Sequence, residues 1–155
     1  MRTPRRFSLF ILALAWLALP LSIQAGAVLT GTVGADSRDH FKGGHFAYSA
    51  TLYAKIDDMT LLGVQSGMGA LSGSDAIPIL ATAMIRLPLG RVVLPVATGD
   101  VGYVIDDVHG GLLWRGGGGF DIRNGRHSSF LILGAYEGQD SMAGWSARAG
   151  LLLEF

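Results

Sequence analysis

The stretch Trp145-Ser-Ala-Arg-Ala-Gly-Leu-Leu-Leu-Glu-Phe155 decides the fold. Trp145, Ala147, Ala149, Leu151, Leu153 and Phe155 share one parity, and all are apolar. Ser146, Arg148, Gly150, Leu152 and Glu154 make up the other parity, which carries both signs of charge. Side chains along a strand point alternately to opposite faces. The stretch is therefore a strand with one wholly apolar face and one mixed face.

The same period runs upstream. Leu112, Trp114, Gly116, Gly118, Phe120 and Ile122 oppose Leu113, Arg115, Gly117, Gly119, Asp121 and Arg123. Phe46, Tyr48, Ala50, Leu52, Ala54 and Ile56 oppose a face that includes His45, Ser49, Thr51 and Lys55. Ile77 to Leu87 and Val93 to Tyr103 behave alike, while 59–70 and 128–137 alternate less clearly. No amphipathic helical pattern is sustained. Turn residues divide the chain into eight runs, near 28–36, 45–56, 59–70, 76–87, 92–104, 111–123, 127–137 and 143–155. Asp57-Asp58, Pro88–Arg91 and Asn124-Gly125 read as tight joints, Asn-Gly being a strong hairpin signal. Ser37–Gly44, Leu71–Asp75, Ile105–Gly110 and Gly138–Met142 read as the longer set, so consecutive hairpins put the two sets at opposite ends.

Composition narrows the surroundings. The 155 residues are 50% hydrophobic and 15% charged, with 23 Gly, no Cys and zero formal net charge. Ordinary soluble domains carry about a quarter charged residues, and disordered chains are less apolar than this. A neutral chain lacks the basic face that nucleic acid requires. The missing Cys excludes disulfides, thiolate metal sites and a cysteine nucleophile. Arg2, Arg5 and Arg6 precede an apolar run from Phe7 to Leu21 and the small residues Ala25 and Ala27. That is the plan of a secretory signal, and the run is too short for a spanning helix. We expect a signal peptide over 1–27, cleaved after Ala25 or Ala27, and a single barrel domain over 28–155. Removing the signal leaves nine basic residues against twelve acidic ones.

Eight runs of strand length with unequal turns predict an all-β fold: an eight-stranded antiparallel up-and-down transmembrane β-barrel. The alternative is a soluble β-sandwich or small barrel with the apolar faces turned inward. Lipid is favoured because the mixed faces are small and charge-balanced, and because the apolar faces carry aromatics towards their ends. Phe46, Tyr48, Tyr103, Trp114, Tyr136 and Trp145 fall near the longer joints, and Phe120, Phe130 and Phe155 near the tight ones. Two such girdles suit the two interfaces of a bilayer.

The ending with Phe155, the run Gly116-Gly-Gly-Gly-Phe-Asp-Ile122 and the Asn-Gly joint resemble the small outer-membrane barrels of the OmpA, OmpX and opacity-protein type. As architecture the resemblance covers the whole mature chain; its motif-like detail lies in the last forty or so residues. It implies a bacterial outer-membrane location, contact with membrane lipid and lipopolysaccharide, and a C-terminal signature read by the barrel assembly machinery. Trp145, Leu151, Leu153 and Phe155 match that signature. No peptidoglycan-binding domain is expected after Phe155. The implied role is non-enzymatic, in envelope structure or surface interaction, without a cofactor.

Three chemical readings compete. His127-Ser128-Ser129 with Glu137 resembles the His-x-Ser motif and downstream Glu of lipid A deacylases of the PagL type. Base, nucleophile and orienter make sound chemistry. However, Phe130 stands where that family has Asn, and His127 follows a tight joint, away from the outer leaflet. His40, His45 and His109 lie near Asp36, Asp39, Asp106 and Asp107, but no ligand-spacing motif points to a metal. A pore ranks last, because eight strands enclose room only for their own side chains.

The parity turns Lys55, Arg86, Arg115, Arg123 and Arg148 inward with Asp36, Asp100, Asp121, Glu137 and Glu154. Unpaired charges there are costly, so opposite signs should pair. We expect an interior ion network of Arg115, Arg148, Asp100, Asp121 and Arg123, with Asp100 nearest Arg115 and with Asp36, Lys55 and Glu154 solvated at the rims. The protein should fractionate with outer membranes and run as a heat-modifiable band. Deleting Phe155 should impair assembly more than it loosens a barrel already formed; recovery as a soluble periplasmic protein would overturn the reading.

Overall fold

The computed structural model describes residues 26–38, 44–69, 75–106, 110–140 and 142–155. The expected signal segment up to residue 25 lies outside them, as do His40, His109, Asp39 and Asp107. Eight strands follow one another: β1 (Ala27–Arg38), β2 (Gly44–Lys55), β3 (Thr60–Met68), β4 (Ile77–Arg86), β5 (Val93–Ile105), β6 (Gly111–Arg123), β7 (Ser128–Gln139) and β8 (Met142–Glu154). Each pairs antiparallel with the next, and β8 pairs with β1 to close the barrel. All eight sequence runs are strands, with ends within two residues of those expected.

The apolar parity faces out. Phe46, Val101, Leu112, Trp114, Trp145 and Leu151 are exposed, while Ser146, Arg148 and Leu152 on the alternate parity are buried. An apolar belt around every strand is foreign to a soluble monomer, whose contiguous apolar patches rarely exceed a few hundred Å². A strand of 12 residues rises about 40 Å along its length, and about 28 Å along an axis tilted by 45°. That suits an apolar band of about 25 Å with a polar margin at each end.

Both barrel termini share one end with the connections 56–59, 87–92 and 124–127; this is the terminus end. The other, the loop end, carries 39–43, 69–76, 106–110 and 140–141. The expected contrast between tight and long joints is weaker than the sequence suggested. Asn124-Gly125 does not form a two-residue hairpin: the amides of both Asn124 and Gly125 donate to the Ser128 carbonyl, and Ser128 Oγ donates to Asn124 Oδ1 at 2.7 Å. The connection after Arg86 runs to six residues. Conversely, Gly138–Met142 is no long loop. The strands run on to Gln139 and resume at Met142, with Asp140 turning the chain at φ 51°. Gln139, expected in an outer loop, is fully buried. At 56–59, Asp57 Oδ1 accepts the amides of Met59 and Thr60, both at 2.7 Å, which holds its carboxyl below the usual carboxylate range.

The interior is a packed column. Val28, Tyr53, Leu61, Met84, Val96, Leu131 and Leu152 form an apolar cluster in the terminus-end half. Ala76, Leu80, Val104 and Leu113 form a second towards the loop end. The glycine run divides unevenly. A methyl group on the inward Gly117 or Gly119 would strike a backbone carbonyl of the neighbouring strand, that of Gly134 or Ile132, and one on Gly118 would strike the Val96 carbonyl on the other side, whereas the outward Gly116 has open space around it. Close approach in a narrow barrel thus requires Gly117, Gly118 and Gly119, and leaves Gly116 free to change. Gly117→Ala should cost about 1–3 kcal/mol, the range for overpacking. Gly116→Ala should be neutral or stabilise by up to about 1 kcal/mol, since Gly is entropically poor in a strand. Urea unfolding in micelles reads both variants, and equal effects would refute the distinction.

Candidate functional site

The inward charges fall into two groups. Towards the loop end, Arg115 projects from β6 with Asp100 on β5 to one side and Glu137 on β7 to the other, its register partners on both strands. Its Nε donates to Glu137 Oε2 at 2.7 Å. Its Nη1 reaches Gln65 Oε1 at 3.3 Å and Asp100 Oδ2 at 3.4 Å. Arg148 on β8 crosses the closing seam to Asp36 on β1, with Nη2 at 3.0 and 3.1 Å from the two carboxylate oxygens and Nη1 at 3.5 Å from Ser49 Oγ. Ser49 Oγ also accepts from Gln65 Nε2 at 2.6 Å and lies 2.7 Å from Thr32 Oγ1. Ser49 and Gln65 thus link the two arginines into one net.

Near the terminus end, Arg86 on β4 meets Asp121 on β6 at 2.9 Å and Glu154 on β8 at 2.6 Å. Arg86 and Asp121 are buried, and Glu154 is one-quarter exposed. These contacts are at ion-pair distance without aligned hydrogen bonds, so attraction here is electrostatic more than directional.

The sequence expectations divide accordingly. Arg115, Arg148, Asp100 and Asp121 sit in the interior. Asp100 contacts Arg115, but Glu137 is nearer. Arg123 does not join the network. It lies at the end of β6, exposed at the mouth of the barrel, because the interior widens there to solvent. Asp36 is not a solvated rim group. It is fully buried, since closure sets Arg148 beside it. Glu154 is drawn into the Arg86 pair, while Lys55 stays at the rim with Asp58 at 2.9 Å. Gln65 and Ser49 were missed, although a polar residue at mid-strand on the inward parity was the available signal. On the outward face, Trp145, Leu151, Leu153 and Phe155 are all exposed, and the Phe155 amide donates to the Ala27 carbonyl at 2.8 Å.

His127, Ser129 and Glu137 do not converge. His127 is exposed in the 124–127 connection, Ser129 is the second residue of β7, and Glu137 lies eight residues further along that strand, about 26 Å away at strand rise. Glu137 is engaged by Arg115. Among the described residues no cluster of three His, Cys, Asp or Glu is placed to hold a metal. Between Arg115, Arg148 and the hydroxyls below them lies a cavity of about 30 Å³, too small for any solute larger than water.

No family model matches the sequence, and no curated protein does. Solved structures match throughout the barrel. The N-terminal β-barrel domain of Pseudomonas aeruginosa OprF aligns with a TM-score of 0.63 at 13% identity, covering 84% of this chain and 99% of that one. Neisserial surface protein A aligns at 0.59 and 12%, covering 84% and 97%. A designed transmembrane β-barrel aligns at 0.59 and 10%, covering 84% and 96%. The chain therefore has the fold of the small eight-stranded transmembrane barrels. A designed barrel fits as well as a natural one, so the likeness speaks to architecture and leaves the role to this chain's own residues.

Arg115→Ala should destabilise the folded barrel by about 3–5 kcal/mol, the range for orphaning buried partners. Adding Glu137→Gln should recover more of that loss than adding Asp100→Asn, because Glu137 holds the shorter contact. Denaturant midpoints in micelles measure both differences, and an Arg115→Ala barrel as stable as the parent would show that the interior is hydrated.

Proposed function

We propose that this protein is a non-enzymatic barrel of the bacterial outer membrane that serves the envelope as a structural element or acts at the surface through its loop end. The observation that carries the reading is the interior. Paired charges and two apolar clusters occupy the lumen, so the inward side chains are engaged with one another. What the barrel can offer is its outside: the apolar belt to lipid, and the connections at each end to the two aqueous sides. One of the proteins sharing the fold is a neisserial surface protein, in keeping with such a role.

The connections support placing the loop end outward, because outer-membrane barrels carry their longer loops outside and the longest connection, 69–76, is at that end. Trp114, Tyr136 and Trp145 meet in a row there, tilted and edge to face, with ring centroids 5.9 and 5.0 Å apart, and the Trp114 indole lies over Gly138, where any side chain would displace it. An interfacial belt of this kind sits at headgroup level. In this orientation lipopolysaccharide is the neighbouring lipid, the terminus end faces the periplasm, and the barrel assembly machinery is the partner in insertion.

Three measurements test this reading. Single cysteines at positions 74 and 107 should react with a membrane-impermeant thiol reagent on intact cells, while those at 57, 90 and 124 should not. The purified protein should give no stable large conductance in planar bilayers. Lipopolysaccharide incubated with it should keep its mass. Loss of an acyl chain would establish an enzyme, and steady conductance would establish a pore.

A further inference from the structure

The terminus end of the barrel opens into a basin of about 420 Å³. Its floor is Arg86, and its wall carries Lys55, Arg123 and Arg126. Lys55 is neutralised by Asp58, and Arg86 by Glu154 and the underlying Asp121. Among the described residues neither Arg123 nor Arg126 has a carboxylate at ion-pair distance, although Arg123, after Lys55, is near enough to Asp58 to help hold that carboxyl below its usual range. Nor does Nη2 of Arg86, a side chain almost wholly buried, find a hydrogen-bond partner there. Four cations thus meet at one mouth, three of them guanidinium forks, and part of their donor capacity is unspent.

We propose that this basin binds a small soluble phosphate ester. Two exposed guanidiniums and the Ser129 hydroxyl on the same wall offer more donors than a carboxylate's two oxygens can use, whereas a phosphate presents three oxygens at once. Met59, Leu87 and Leu94 add apolar surface to the lining and give a carbon skeleton somewhere to lie. The volume falls in the range of small-molecule sites. Arg86, Leu94 and Ser129 belong to inward faces, so the basin opens along the barrel axis and away from the surrounding lipid. This favours a soluble ligand over a phospholipid headgroup.

The test uses the full chain folded in zwitterionic micelles, titrated calorimetrically with glycerol 3-phosphate and, as a carboxylate control, citrate. Arg123→Gln and Arg126→Gln alter exposed groups, and heat-modifiability checks that each variant still folds. Each should weaken binding about tenfold and the pair about a hundredfold, the loss expected for one charge-assisted hydrogen bond apiece. A spin label on Leu87→Cys should broaden the ³¹P signal of the ester, while one on Phe46→Cys at the loop end should not. Absence of binding, affinity unchanged in the double variant, broadening from position 46 alone, or equal binding of citrate would overturn the assignment. Displacement of the ester by phosphatidylglycerol in nanodiscs, but not by phosphatidylcholine, would overturn its soluble source.

Discussion

Closure of the sheet between β1 and β8 is the constraint on which the rest of the molecule depends. A strand edge left open in lipid would strand a row of amides and carbonyls with no water to meet them, each costing several kcal/mol. The register from Val28 with Glu154 to Arg38 with Gly144 removes that edge. Once the ring is closed, the inside is fixed in width, and each inward side chain must fit the space its neighbours leave. Gly117 and Gly119 are answers to that crowding, as are the threonines and serines that line the column between the charged groups.

Closure also decides which charges meet. Asp36 and Arg148 are far apart in the chain and adjacent only because the first strand returns to the last. The pairing is local in the case of Arg115, whose partners come from the strands on either side. Breaking either pair leaves a charge in a medium that solvates it poorly, so these contacts matter less for the energy they add than for the arrangements they forbid. A barrel slipped by one residue would send Arg115 and Arg148 into the apolar belt.

Much of this was legible from residue parity. Trp145 to Phe155 declares its two faces because the strand period is two, and the same arithmetic sorts Ile77 to Leu87 without error. The turns were less legible. Asn124-Gly125 carries a strong two-residue signal, yet the Ser128 carbonyl captures both amides and a wider connection results. Asp140 accepts a positive φ and so makes a tight hairpin from a stretch whose glycine and serine suggested a loop. The interior net was half legible. Inward parity identified its members, but the chain order does not say that Asp36 lies beside Arg148, that Glu137 outcompetes Asp100, or that Arg123 comes after the lumen has opened.

The hairpin between β7 and β8 has a consequence for the membrane face of the barrel. Its strands pair as far as Gln139 with Met142, so the chain turns back close above Tyr136 and Trp145, which face each other across the pair. With Trp114 beside them on β6, three rings on three adjacent strands touch in one row on one side of the wall. The strands make a nearly symmetric ring, but this row marks one flank of it, so the barrel presents a front and a back to whatever lies beside it in the plane of the bilayer.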